Sequence, residues 1–206
     1  MDISGDSPEV RVEVVTAALV AAGCPDGVHD LERLLENLNT PTASRHLELR
    51  EPSLRPLYRG EPPLALDVPL LIRRDQIIFA CFEGPAGPLG ATGAPQVAVP
   101  VLLLAPPFQI QGDVFFTPEA DASRALRSLV HGFFTVRHAR VYDVDGVQVG
   151  DGDYVVVNGA AVEMASATAE RIALAPASRA MPAPRLPDAA ADEMAPATVL
   201  RSTRAA

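Results

Sequence analysis

The chain carries one succession of sequence patterns twice, in the same order. Each copy holds a strand-like apolar run that breaks and resumes before a glycine, then a short helical pattern, then further strand-like runs. The paired blocks are Val10–Gly23 with Val99–Gly112, Asp30–Leu49 with Asp121–Val141, and Leu70–Ala80 with Val155–Ala165. The spacing between paired blocks varies by only a few residues, a change that surface loops tolerate at little cost. A repeat of this kind predicts a duplicated fold.

The repeat divides the 206 residues into two small units. The first unit covers residues 9–83, a linker rich in Gly, Pro and Ala covers 84–98, and the second unit covers 99–174. Units of this size bury little apolar surface and are marginally stable alone, so we expect the two copies to pack on each other or on a partner. Residues 175–206 are rich in Ala and Pro, and this composition predicts a disordered tail.

The helical pattern of each copy begins at an aspartate. Asp30 and Asp121 occupy N-cap positions, and leucines follow both of them at helical spacing. A helix of about two to three turns is unstable alone and must dock on a sheet. Pro106 and Pro107 exclude a helix interior after the first apolar run of the second copy. We therefore predict a bent strand or a pair of strands at this place in both copies.

Each unit is predicted to be α+β and mostly β, in the order ββαβββ, with a partly closed sheet or a small barrel. Two dipeptides mark turns in the second copy. Asp145-Gly146 is a favoured hairpin dipeptide. Asn158-Gly159 predicts a closing hairpin, and Arg74-Asp75 holds the equivalent place in the first copy.

With these elements, the unit resembles a small uncharacterised bacterial domain, which would be present in two copies. The resemblance rests on a bent strand ending in Ile-x-Gly, a short Asp-x-x-Arg-x-Leu helix, a further strand and a final hairpin. It is strongest over Val101–Val162, whereas Val10–Ile78 departs from it by an inserted proline-rich loop. The resemblance implies the fold of the unit and no particular activity.

Charge and composition argue against several classes of function. A net charge of −9 leaves no basic surplus for phosphates, so neither a nucleic acid nor an anionic membrane surface is an expected partner. No apolar run approaches the roughly 18–20 residues that span a bilayer. The acidic start MDISGDSPEV lacks the basic region of a secretory signal, and two cysteines form no disulfide framework. We therefore expect a cytoplasmic protein without membrane insertion.

Both cysteines have simple structural explanations. Cys24 and His29 could form an activated nucleophile, but the second copy has no cysteine at the matching place. A plain loop cysteine explains Cys24 as well. Cys81 lies in the apolar run IIFACF, which predicts a buried core thiol.

Two basic pairs are candidates for a binding site. Arg45-His46 and Arg137-His138 align at one position of the repeat, so the two pairs could face one cleft and hold a metal or an anion. A strand edge with polar residues turned toward water explains them equally. A metal would need three or four ligands, and the sequence does not assemble such a set from its histidines and cysteines.

Four aspartates cluster near the end of the second copy, within DVDGVQVGDGD. They are Asp143, Asp145, Asp151 and Asp153. Dense carboxylates with glycines suggest a calcium site. The spacing departs from the Asp-x-Asp-x-Asp-Gly loop and lacks its closing Glu, and a hairpin with acidic turns explains the cluster equally well.

The sequence contains no motif for catalysis, so we predict neither an enzyme nor a bound cofactor. The preferred prediction is a non-enzymatic protein–protein interaction or scaffolding protein. Duplicated β-rich units leave edge strands that recruit an extended segment or another protomer, so a protein partner or self-association is expected. The alternative is a sensor of a small molecule or metal, with the ligand held between the two repeat units.

Overall fold

The strand-like runs form one antiparallel sheet in the computed structural model, which describes residues 10–41, 44–58, 62–87, 96–117, 126–127 and 129–167. The strands are β1 Arg11–Val15, β2 Leu19–Pro25, β3 His46–Pro56, β4 Leu64–Ala65, β5 Leu70–Arg73, β6 Phe79–Glu83, β7 Val97–Ala105, β8 Phe108–Phe116, β9 Phe133–Tyr142, β10 Gln148–Asn158 and β11 Met164–Ala167. Helix α1 spans Leu31–Asn39, and two 3-10 turns span Arg74–Gln76 and Gly159–Ala161. We call β1–β6 with α1 the first half and β7–β11 the second half. The described residues are mostly β, as the sequence predicts.

Several predicted features lie outside the described residues. These are Asp121, where the second helix is predicted to start, most of the linker, and the tail over 175–206. The tandem ββαβββ order therefore stays a prediction. In the first half, the strand pair β1 and β2 occupies the place for which a bent strand or a pair of strands is predicted.

The two halves follow one strand order. Across the sheet, the second half runs β11-β7-β8-β9-β10, and the first half runs β6-β1-β2-β3-β5. Strand β5 pairs with the first part of β3, and β4 pairs with a later part of it. The two short strands therefore take the place along β3 that the single long strand β10 takes along β9. Antiparallel pairing of β10 with β6 joins the halves into one sheet.

Neither half closes on itself, so the prediction of a partly closed sheet or small barrel is wrong. A closed half would need its own two edges to pair, β10 with β11 or β5 with β6. Instead β10 and β6 pair with each other across the halves, and the sheet stays open.

The predicted closing hairpins are also wrong. Arg74-Asp75 and Asn158-Gly159 lie at the start of 3-10 turns, and the strand that follows each turn crosses to the other edge of its half. The Asn158 side chain accepts a hydrogen bond from the Ala160 N–H at 3.1 Å and donates one to the Ile77 carbonyl at 2.8 Å. It thereby caps the second turn and ties it to the first half.

A β-bulge occurs at the same place in both halves. The register of β2 against β3 shifts at Gly23, and that of β8 against β9 shifts at Gly112. A Cβ on Gly112 would lie 2.5 Å from a side-chain atom of β9, and one on Gly23 would lie 2.8 Å from a backbone oxygen of β3. Across the bulges, Glu51 and His138 have left-handed φ angles of 47° and 48° and are therefore structural counterparts.

The buried side chains form two clusters that exchange residues across the junction of β10 and β6. One cluster holds the buried leucines of α1 against β1 and β3, and it includes Val156 from β10. The other is built mainly from the second half and includes Phe79 from β6, whose ring meets that of Phe108 edge-on at 5.1 Å. A strand of the opposite half therefore completes each core.

Helix α1 starts as predicted and is tied to the second half at its end. The Asp30 carboxylate accepts a hydrogen bond from the Arg33 N–H at 2.7 Å, which caps the helix. The Asn39 side chain accepts from the Phe133 N–H at 2.7 Å and donates to the Phe133 carbonyl at 2.9 Å. These two hydrogen bonds hold the end of α1 against the start of β9.

Removing the Asn39 side chain tests how α1 is held. We expect Asn39→Ala to lower the free energy of unfolding by about 1–2 kcal/mol, because each hydrogen bond is worth roughly 1 kcal/mol net. Asn37→Ala, on the same helix, should cause no loss, because Ala has the higher helix propensity. Urea unfolding of both variants measures the difference, and equal losses would contradict the assigned role of Asn39.

Candidate functional site

A cavity of about 280 Å³ lies between α1 of the first half and strands β8, β9 and β10 of the second. Its wall is apolar over one part, with one cation and three other polar side chains over the rest. The lining residues are Leu35, Gln96, Val114, Phe115, Leu129, Phe134, Thr135, Arg137 and Tyr154. The first half contributes Leu35, and the other lining residues lie in the second half or just before it.

The guanidinium of Arg137 is held in place by two aromatic rings. Its central carbon lies 4.6 Å from the ring centroid of Phe115 and 5.4 Å from that of Tyr154. Tyr154 is directly opposite Arg137 in the pairing of β10 with β9. Stacking on two rings is favourable for a guanidinium and fixes the orientation of its plane.

Two polar atoms in the cavity wall lack hydrogen-bond partners. Arg137 Nε and Thr135 Oγ1 are both buried and unpaired. In the described part of the chain, no carboxylate lies within ion-pair distance of Arg137. A buried group without a partner costs about 1–3 kcal/mol, so these two atoms lower the stability of the folded chain.

The first half shows what the same arginine does when it has a partner. Arg50 lies opposite Cys24 and Arg137 lies opposite Asp113, each at its bulge, so the two arginines are counterparts. Asp26 lies two residues after Cys24, and Phe115 lies two residues after Asp113. Asp26 and Phe115 are therefore counterparts as well.

Asp26 gives Arg50 an ion-pair partner that Phe115 cannot give Arg137. Arg50 Nε lies 3.4 Å from Asp26 Oδ1, so the first half contains an ion pair at this position. Phe115 replaces the carboxylate in the second half and offers Arg137 a ring face instead. The charge of Arg137 therefore remains available to a ligand.

His138 is adjacent to Arg137 in sequence but belongs to a different place. Its Nδ1 lies 3.2 Å from Oδ2 of the buried Asp113. With Arg140, Asp151 and Asp153, His138 lines a shallow hollow that is separate from the cavity. Of the candidate pair Arg137-His138, only Arg137 lines the cavity.

Arg45 and His46 do not align with Arg137 and His138 in the sheet, so that part of the sequence alignment is wrong. His46 lies at the start of β3, opposite Arg73, and Arg45 is exposed just before it. The counterpart of His138 is Glu51, as the shared bulge geometry shows. The alignment failed because it matched a dipeptide, whereas the bulge sets the strand register.

The four aspartates of the acidic segment have separate positions. The Asp143 carboxylate accepts hydrogen bonds from the N–H groups of Asp145 and Val147, both at 2.9 Å. Together with the left-handed Gly146, it forms the predicted tight turn between β9 and β10. Asp151 and Asp153 follow in β10. Among the described residues, no group of three or more acidic, His or Cys side chains is placed to hold a metal ion.

The cysteines lie on β2 and β6, the two strands that flank β1. Cys24 is buried in β2, whereas His29 is largely exposed with its ring 3.5 Å from the Asp30 carboxylate. Cys81 is half-buried in β6. Burial raises the pKa of the Cys81 thiol to about 12, and nearby carboxylates add to this rise.

Sequence reasoning identified Arg137 but missed the residues that complete its site. Phe115, Thr135 and Tyr154 lie on three different strands and meet only through strand pairing. One signal was readable, because extending the first pair of repeat blocks by three residues sets Asp26 beside Phe115. That exchange of a carboxylate for an aromatic ring marks the second copy as different.

No protein-family model, no curated protein and no solved structure matches this chain. Among the described residues, none of the helices has the length and apolar character needed to cross a membrane.

The raised pKa of Cys81 predicts low thiol reactivity. At a pH of about 8.5 an ordinary thiol is half ionised, so iodoacetamide should alkylate Cys81 in the native protein at least ~100-fold more slowly than in urea. Mass spectrometry after cleavage at arginine resolves the two cysteines onto separate peptides. Similar rates in the native and unfolded protein would show that the thiol is not held protonated.

Proposed function

We propose that the protein is a non-enzymatic binding protein that holds a small carboxylic acid with an apolar body in the cavity between α1 and the second half. The observation that carries this proposal is the unpaired Arg137, stacked on Phe115 where its counterpart Arg50 is neutralised by Asp26. The proposal corresponds to a small-molecule sensor with its ligand between the repeat units.

The charge of the site favours a carboxylate over a phosphate. One guanidinium supplies one positive charge, and its planar fork matches the two oxygens of a carboxylate. A phosphate dianion would bring a second negative charge for which the cavity lining has no cation. The amide of Gln96 adds a neutral hydrogen-bonding group.

The apolar part of the wall determines what the ligand carries besides its carboxylate. Leu35, Val114, Leu129 and Phe134 line the cavity and suit a short hydrocarbon chain or one aromatic ring. The volume of about 280 Å³ is at the low end of ligand pockets, which run from roughly 300 to 1,000 Å³. The ligand is therefore a small acid.

The lining favours binding over catalysis. Its described residues include no carboxylate, imidazole or thiol that could act as a general base for the hydroxyls of Thr135 and Tyr154. Leu35 belongs to α1 and the other lining side chains lie on or beside the second half. A bound acid would contact both halves and stabilise the docking of α1, which is how ligand occupancy would be signalled.

A protein-interaction or scaffolding role is the second candidate function. It is favoured by the exposed strands at the two ends of the sheet, β11 and β5. Such edges pair readily with another strand, and the two roles are compatible because the cavity lies elsewhere.

Binding of simple acids tests the proposal. By titration calorimetry, benzoate and hexanoate should bind more tightly than benzamide and hexanamide, which have the same shape without the charge. Arg137→Gln should weaken benzoate binding at least about tenfold, because a hydrogen bond to a charged group is worth roughly 1.5–3 kcal/mol. Arg50→Gln is the matched control at the equivalent position and should bind benzoate like the wild type.

Two outcomes would contradict this proposal. One is that neither acid binds at millimolar concentration. The other is that Arg137→Gln and Arg50→Gln affect binding equally, while thermal unfolding shows both variants to be folded.

A further inference from the structure

The junction between the two halves offers a template for contact between two copies of the chain. In the pairing of β10 with β6, Val156 lies opposite Ala80 and Val157 lies opposite Phe79. All four side chains are at most 2% exposed. The junction is therefore a buried, apolar meeting of two strand edges.

The counterparts of these two strands lie at opposite ends of the sheet. In the shared strand order, β11 takes the place of β6, and β5 takes the place of β10. Backbone contacts support this match: the Ile78 N–H donates to the Val15 carbonyl at 2.9 Å before β6, and the Glu163 N–H donates to the Leu104 carbonyl at 2.8 Å before β11. In the described part of the chain, neither β11 nor β5 pairs with a strand on its outer side.

Three of the four positions that are buried in the junction are exposed and apolar at the two ends, whereas Ile72 of β5, the counterpart of Val157, is buried. Leu71 of β5, the counterpart of Val156, is 59% exposed. Met164 of β11, the counterpart of Phe79, is 50% exposed. All four residues of β11 are exposed. Unpaired backbone groups beside exposed apolar side chains form an edge that favours pairing with a further strand.

The two ends also carry complementary charges. At the junction, the Asn158 N–H donates to the Ile78 carbonyl at 3.0 Å. The corresponding residues at the two ends are Arg73 and Glu163, and both are exposed; Arg73 also pairs with Asp75 of its own chain, in an exposed ion pair. The register of the junction, repeated between two copies, sets a cation opposite a carboxylate.

We propose that copies of this chain pair through these ends, β11 of one copy antiparallel to β5 of the next, in the register of the internal junction. Ala165 then lies opposite Leu71, and Glu163 lies opposite Arg73. Because β11 of one copy pairs with β5 of the next, the first copy keeps a free β5 and the second copy keeps a free β11. The contact therefore repeats into an open chain of copies, or into a ring where the rotation between copies closes.

Sedimentation of the full-length protein over a wide range of concentration tests this proposal. The wild type should show an average mass that rises with concentration beyond that of the monomer. Leu71→Asp should stay monomeric, because it places an unpaired charge in the proposed contact. Val68→Asp is the matched control, since Val68 is 64% exposed in the loop before β5 and should associate like the wild type.

Charge reversal tests which two edges meet. Arg73→Glu and Glu163→Arg each place like charges opposite each other, so each variant alone should associate more weakly than the wild type. An equimolar mixture of the two variants should recover association, because every contact between unlike copies then pairs opposite charges. Arg137→Gln should associate normally, which separates this proposal from ligand binding.

Three results would overturn the proposal. The first is a wild type that stays monomeric at every concentration, as happens if another segment or another protein covers the edges. The second is Leu71→Asp that associates like Val68→Asp, because the contact would then use other surfaces. The third is a mixture of the two charge variants that associates no better than either variant alone.

Discussion

The pairing of β10 with β6 is the interaction on which the rest of the structure depends. Through it, Val156 enters the core of the first half and Phe79 enters the core of the second. Small units bury limited apolar surface and are only marginally stable alone, and here a strand of each half adds to the core of the other. The same pairing explains why neither half closes into a barrel, because the strands that could close each half are already used. It also leaves two unlike edges at the ends of the sheet.

The pairing that joins the two halves also forms the cavity. It brings α1 of the first half to β9 of the second, where Asn39 binds the backbone of Phe133. Each half has an arginine beside its bulge, and the two arginines differ in their partners. Arg50 is paired with Asp26, whereas Arg137 is stacked on Phe115 and Tyr154 and retains an unpaired Nε. The arginine of the first half thus has a carboxylate partner, and the arginine of the second half has aromatic rings instead.

Local features could be predicted from the sequence, and long-range pairing could not. The cap at Asp30, the turn at Asp145-Gly146 and the break in the first apolar run follow from local chemistry. The partner of β10 could not be inferred, because its apolar run Val155–Val157 suits β11 of its own half as well as β6 of the other. The match of His46 with His138 failed because it aligned a dipeptide, whereas the bulge that both halves share sets Arg50 beside Arg137 and Glu51 beside His138. The cavity was missed because most of its residues lie on β8, β9 and β10 and meet only through the pairing of these three strands.

The central claim is that Arg137 is available to a ligand because Phe115 has taken the place of a carboxylate. Phe115→Asp would restore the arrangement of the first half, and Asp26→Phe is its matched control at the equivalent position. Measured by titration calorimetry with benzoate, Phe115→Asp should bind at least about tenfold more weakly than the wild type, and Asp26→Phe should bind like it. Undiminished binding by a folded Phe115→Asp protein would contradict the account, because the carboxylate would then have failed to neutralise the site.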